Sequence, residues 1–168
     1  MDAFIILRVE PLNDRHDCAA FECGVESLDR YLRLHAAQDG RRRIASSFVL
    51  VNDGTPPLAY YTLATTSIAL AALPSSLNKA LPCYPSVAVT LLSRLAVDQR
   101  HRGCRLGEQL LMDAFARTLR SEIATYAVLV DIENEQAAAF YRVYDFQPLP
   151  ASQHRLFLPM PEIARLFV

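Results

Sequence analysis

Lysine is nearly missing from this chain. Lys79 is the only one among 17 basic residues, and the rest are arginine. Charge of one sign is missing too: 18 acidic residues leave a formal net charge of -1. That balance excludes a basic coat for duplex nucleic acid and leaves room only for a local patch. Charged residues make up 21% against 52% hydrophobic, which excludes a disordered chain. The four cysteines form no C-x-x-C pair and no close Cys/His cluster, so structural zinc of the usual spacing is excluded and no metal is expected. No secretory signal is expected either: Met1-Asp2-Ala3 carries no basic segment, and Phe4 to Leu7 is too short an apolar run. Free thiols in a reducing cytoplasm follow as the expectation.

Gly54 to Asn78 contains no charged residue, a length that would suffice for a membrane span. Three prolines and a succession of Thr and Ser interrupt it, and Leu58 to Ile68 favours a strand. A second uncharged run, Ala80 to Ser93, holds Pro82 and Pro85. Both read as buried sheet, and no membrane association is expected.

The length, 168 residues, suits a single domain spanning 1–168. Phe4 to Val9 reads as a strand. Val25 to Gln38 reads as a helix with Leu28, Tyr31, Leu32, His35 and Ala36 on one apolar stripe, ended by Gly40. Ser46 to Val51 and Leu58 to Ile68 read as a hairpin, and Ala71 to Pro85 as a loop. Val87 to Val97 is a long buried strand. Gly107 to Arg120 is an amphipathic helix whose stripe is Leu110, Leu111, Ala114, Phe115 and Thr118. Ala127 to Ile132, Glu135 to Tyr144 and Leu156 to Leu158 read as strand, helix and strand, and Pro161 to Phe167 as a last helical turn. Hairpins followed by βαβ crossovers imply a mixed sheet with helices on its faces, an α/β or α+β fold.

The richest chemistry lies between Leu95 and Gly107. A buried strand (Leu95, Ala96, Val97) runs into a basic loop, and a helix then begins. Helix-initial N–H groups lack partners, and the helix dipole favours an anion there. Gly103 and Gly107 allow close approach of the backbone, and Arg100, Arg102 and Arg105 supply three guanidiniums in six residues. The pattern predicts a pyrophosphate. It matches neither the Walker motif nor G-x-G-x-x-G.

Arg102-Gly103-Cys104-Arg105-Leu106-Gly107 resembles the Q/R-x-x-G-x-G/A motif of the GNAT acyltransferases, with Arg105 where the middle glycine is usual. The stretch from Asn134 to Phe146 resembles their A-x-x-F-Y-x-x-x-G-F element, with Asp145 in place of glycine. Further segments, including Leu28-Asp29-Arg30-Tyr31-Leu32 and Ala59-Tyr60-Tyr61-Thr62-Leu63, resemble the tRNA-acetylating toxins of type II toxin–antitoxin pairs. The resemblance implies a GNAT fold and acetyl-CoA as donor. It implies acetylation of the α-amino group of aminoacyl-tRNA, with a block of translation, and a ribbon-helix-helix antitoxin as partner. DNA would be met only through that antitoxin. A homodimer is also implied.

On that resemblance the loop Arg102 to Gly107 holds the pyrophosphate, Leu95 to Val97 pair with the pantetheine arm, and Asn134 belongs to the donor site. A backbone N–H near Val97 faces the thioester carbonyl. Tyr141 is the general acid, since a phenol and a CoA thiol have comparable basicity. No general base stands out. An α-amine, near pH 8 in model peptides, needs less help than a lysine amine. Arg41, Arg42 and Arg43, with Arg33 and Arg94, are the expected tRNA-phosphate patch. Two other readings remain at this point: a GNAT enzyme for a small-molecule or protein amine, and a CoA-binding module without turnover. The two substituted glycines favour the second of these.

Overall fold

The computed structural model describes residues 7–53, 56–81 and 84–168. Phe4 to Ile6 of the expected first strand, Gly54 and Cys83 lie outside them. The strands are β1 (Leu7–Pro11), β2 (Ser46–Asn52), β3 (Ala59–Ala69), β4 (Ser86–Val97), β5 (Ala127–Asp131), β6 (Gln147–Pro148) and β7 (Arg155–Pro159). The helices are α1 (Glu26–Arg30), α2 (Ala36–Arg41), α3 (Ser75–Asn78), α4 (Leu106–Arg120), α5 (Glu135–Arg142) and α6 (Met160–Arg165). Hydrogen-bonded neighbours follow the order β1-β2-β3-β4-β5-β7-β6 in a mixed sheet. The expected hairpin of β2 and β3 is antiparallel, with Phe48 opposite Tyr61. The expected crossover makes β4 and β5 parallel, with Leu91 opposite Leu129.

Two compact units divide the chain. The first holds 1–64 and 94–114, the second 65–93 and 115–168. In the first, Tyr31, Leu32 and Ala36 of the helical arm pack with Phe21, Val49, Val51, Tyr60 and Ala96. Phe21 meets Tyr60 edge-on, with ring centroids 5.4 Å apart. In the second, Leu129 and Phe157 are fully buried beside Ile68, Leu73, Val89 and Leu149. Burial of each such side chain contributes roughly 1.5–3 kcal/mol. The stripe expected on α4 is buried throughout.

The helical arm departs from expectation twice. A π-helical turn, Tyr31–His35, separates α1 from α2. Its wider turn rotates the register, so His35 faces solvent and Ala36 takes the buried place. Gly40 does not end the helix. Arg43 does, at φ 58°, with Ile44 N–H donating to the Asp39 carbonyl at 2.9 Å. The segment expected as loop after β3 carries a 3-10 turn (Leu70–Ala72) and α3.

Candidate active site

At the end of β4 the buried carboxylate of Asp98 organises the basic loop. It accepts from Glu22 N–H at 3.1 Å, Arg100 N–H at 2.9 Å, and Arg100 Nε and Nη2 at 3.0 Å each. Arg100, foremost, holds its pKa down at about 2. This gives Arg100 a duty that the phosphate expectation did not include: its guanidinium pairs with Asp98, with Nη2 also 3.4 Å from the Ala20 carbonyl. Arg102 turns the same way: Nη2 donates to the Cys23 carbonyl at 2.6 Å.

Beyond these anchors the loop suits an anion. Gly103 sits at φ 80°, and a side chain there would meet open space. Arg105, at the position of the missing glycine, keeps left-handed backbone at φ 58°. Its carbonyl accepts the first bond of α4, from Gln109 N–H at 3.2 Å, so Arg105 is the N-cap. The N–H groups that follow it have no intrahelical acceptor and sit at the positive end of a 15-residue helix. Cys104 and Arg105 are exposed beside them, Leu106 is buried, and Gly107 lies in the first turn. Leu95, Ala96 and Val97 are the last residues of β4. A pyrophosphate therefore fits this loop, through its amides and the Arg105 guanidinium.

In the second unit, Asn134 caps α5: its Oδ1 accepts from Ala137 N–H at 2.8 Å. That is a structural duty the donor-site reading did not include. Tyr141 lies near the end of α5, edge-on to Phe140 at 5.1 Å and to Phe146 at 5.2 Å. Burial alone pushes its pKa above the ordinary phenol value. The phenol therefore stays protonated at neutral pH, as a proton donor must. Asp145, at φ 69°, ends α5, and Phe146 N–H returns to the Tyr141 carbonyl at 3.4 Å. Aspartate tolerates this conformation better than most residues, which explains how the motif survives without its glycine.

The arginine patch is partly dispersed. Arg41, Arg42 and Arg43 are exposed at the end of α2. Arg41 borders a groove of about 500 Å³ lined also by Leu12, Ala36, Ser47 and Phe48. Arg33 donates to the Phe21 carbonyl. Arg94 lies over the Tyr31 ring at 3.5 Å from its centroid, and the Tyr31 hydroxyl donates to Asp39 at 2.8 Å. Cys18, Cys23 and Cys104 are free thiols, and burial pushes Cys18 up to about 11, which makes it a poor nucleophile. No group of three or more His, Cys, Asp or Glu among the described residues is placed to hold a metal.

A strand running into a loop-and-helix anion seat and, separately, a buried tyrosine on a later helix are the elements expected of an acyl-CoA-dependent acyltransferase of GNAT type. The chain belongs to the Acetyltransferase (GNAT) family, whose model matches residues 15–146. Among its relatives are two toxins. A probable toxin TacT of Sinorhizobium fredii is 32% identical over 94% of this chain and 93% of its own. A tRNA-acetylating toxin of Mycobacterium tuberculosis is 36% identical over 92% and 93%. The structure of AtaT complexed with acetyl-methionyl-tRNAfMet superposes with a TM-score of 0.87, at 30% identity over 97% of this chain and 100% of AtaT. Related structures include AtaTR with AcCoA, AtaT–AtaR bound to DNA, and tyrosine-to-phenylalanine mutants of KacT and AtaT.

Proposed function

We propose that this chain is the acetyltransferase toxin of a type II toxin–antitoxin pair, moving an acetyl group from acetyl-CoA to the α-amine of aminoacyl-tRNA. The observation that carries the reading is the likeness over nearly the whole chain to a tRNA-acetylating toxin and to AtaT caught with acetylated tRNA. The action is cytoplasmic, where charged tRNA is used. Among the described residues no helix is long and apolar enough to cross a membrane. The partner is a ribbon-helix-helix antitoxin through which DNA is reached; a structure of the AtaT–AtaR complex bound to DNA supports a DNA-binding pair.

In the reaction the amine attacks the thioester carbonyl. An N–C bond forms and the C–S bond breaks. Loop amides after Arg105 hold the pyrophosphate, and the β4 edge from Leu95 to Val97 aligns the pantetheine arm. An N–H near Val97 receives the developing oxyanion. Tyr141 gives its proton to the departing thiolate; the attacking amine sheds one proton to solvent, and Tyr141 takes one back from solvent, which closes the cycle. An α-amine is substantially neutral in the cell, so this chain needs no dedicated base.

The test incubates the protein with labelled acetyl-CoA and mixed charged tRNA. Label in the tRNA fraction, released as acetyl-amino acid on deacylation, is expected. With a polyamine and a protein mixture added as competing acceptors, label in either of these and none in the tRNA would overturn the acceptor assignment.

A further inference from the structure

The loop that would hold the pyrophosphate is bound to the segment preceding α1 by a set of contacts that no phosphate requires. Four consecutive carbonyls, Ala20 to Cys23, each receive a donor. Ala20 O takes Arg100 Nη2 at 3.4 Å, Phe21 O takes Arg33, Glu22 O takes Gln99 N–H at 2.9 Å, and Cys23 O takes Arg102 Nη2 at 2.6 Å. The amides are used as well. Glu22 N–H goes to Asp98, and Cys23 N–H to the buried carboxylate of Asp29 on α1 at 2.7 Å. Gly24 follows at φ 97°, and a Cβ there would lie 2.8 Å from Arg102 Nη2. The segment is thus a strap with one edge on the basic loop and the other on the helical arm.

We propose that Arg102, with Asp98, is a positioning residue: it fastens the 20–24 strap and thereby the arm from α1 to Arg43, rather than binding a donor phosphate. Two features argue for this assignment. The Asp98 carboxylate is wholly buried and met by four donors, as an anchor is. The Arg102 guanidinium lies against the strap itself, donating to the Cys23 carbonyl at 2.6 Å and standing 2.8 Å from where a Cβ at Gly24 would sit. The arm carries Arg33 and ends at Arg41 to Arg43, so a loosened strap should be felt by the acceptor more than by the donor. That last step rests on the function proposed above.

The experiment compares wild type with Arg102→Ala, Arg102→Gln and Gly24→Ala. Glutamine can still donate to a carbonyl but carries no charge. Gly24→Ala touches no phosphate; it crowds the guanidinium and strains the strap's own backbone at φ 97°, so it loosens the strap from the other side. Calorimetric titration with CoA reads the donor site. Amide exchange over 20–33 reads the strap. Steady-state kinetics with charged tRNA read the acceptor. We expect Arg102→Ala to keep the CoA Kd within about threefold, to speed exchange over 20–24 at least tenfold, and to raise the KM for charged tRNA about tenfold. Arg102→Gln should restore most of the exchange protection, and Gly24→Ala should copy Arg102→Ala. A CoA Kd weakened tenfold or more in both Arg102 variants, with exchange unchanged, would make Arg102 a phosphate ligand and overturn the proposal. Wild type that binds CoA but leaves charged tRNA unlabelled removes the acceptor assignment alone, because titration and exchange still decide the strap.

Discussion

Asp98 and Tyr141 are both buried polar side chains, and their surroundings treat them oppositely. Asp98 is met by four donors and is held ionised, with its pKa lowered to about 2. Tyr141 sits between two phenyl rings, and burial alone raises its pKa. A charge enclosed by donors cannot readily give or take a proton, so Asp98 is an architectural ion. A neutral phenol with only rings against it keeps its proton in the resting state and can share it only as charge develops on a leaving sulfur. The contrast separates a residue that shapes the loop from the residue proposed for the chemistry. Each of the following measurements tests one side of it.

The largest effect belongs to Tyr141→Phe. Loss of a general acid costs about a hundredfold to several thousandfold in kcat. The ring contacts with Phe140 and Phe146 remain, so the melting temperature should move by no more than about 2 °C. Single-turnover transfer to charged tRNA, run beside thermal unfolding, checks both. An unchanged rate would remove Tyr141 from the chemistry.

Asp98→Asn should show the reverse profile. An amide leaves the Glu22 and Arg100 donors short of acceptors and removes the charge they were arranged for. Arg100 is itself 60% exposed, which discounts its share. The cost is about 2 kcal/mol, or roughly 4–8 °C in melting temperature. The folded pKa lies below the unfolded value of 3.8, so the stabilisation is complete above about pH 4 and is lost as pH falls toward 2. Urea midpoints of wild type and variant should therefore converge between about pH 4 and 2. A constant gap across that range would show that Asp98 is not held ionised.

Asn134→Ala probes the start of the helix that carries Tyr141. Removing the cap to Ala137 N–H costs about 1 kcal/mol, seen as roughly 2–4 °C. The KM for acetyl-CoA should stay within twofold if Asn134 acts only as a cap. A larger rise would restore the donor-site role its motif position implied.

How much of this was legible beforehand depends on the range of the interactions. The β2–β3 hairpin and the α4 stripe follow from hydrophobic periodicity and turn residues, which are local, and the β4–β5 crossover from the helix between them; all are present in the structure. The loop and Tyr141 were legible as motifs. The use of Arg100, Arg102 and Arg33 was not. Arg102 reaches a carbonyl 79 residues away in sequence, and a basic side chain in a loop carries no mark of its acceptor. His35 was misplaced because the apolar spacing assumed 3.6 residues per turn, and a π turn leaves no clear sequence sign. Gly40 drew attention as the natural helix stop. The left-handed residue is Arg43, three positions on, and arginine has no propensity that would announce it.

The two substituted glycines give the smallest and most direct comparison of the two regions. Arg105 and Asp145 both adopt left-handed backbone, at φ 58° and 69°. That conformation costs an ordinary L-residue about 1–2 kcal/mol, and aspartate less. Glycine removes the cost but adds unfolded-state entropy of roughly 0.5–1 kcal/mol. Arg105→Gly should therefore stabilise by about 0.5 kcal/mol, while Asp145→Gly should be near neutral. Kinetics separate backbone from charge at the loop. Arg105→Gly and Arg105→Ala both lack the guanidinium, but only alanine keeps the strain. If the exposed guanidinium contacts a phosphate, both variants raise the KM for acetyl-CoA by about threefold to tenfold, which is the expected result. If the loop binds through its amides alone, glycine leaves KM unchanged. Arginine at this position would then be a tolerated departure from glycine, much as aspartate is at 145.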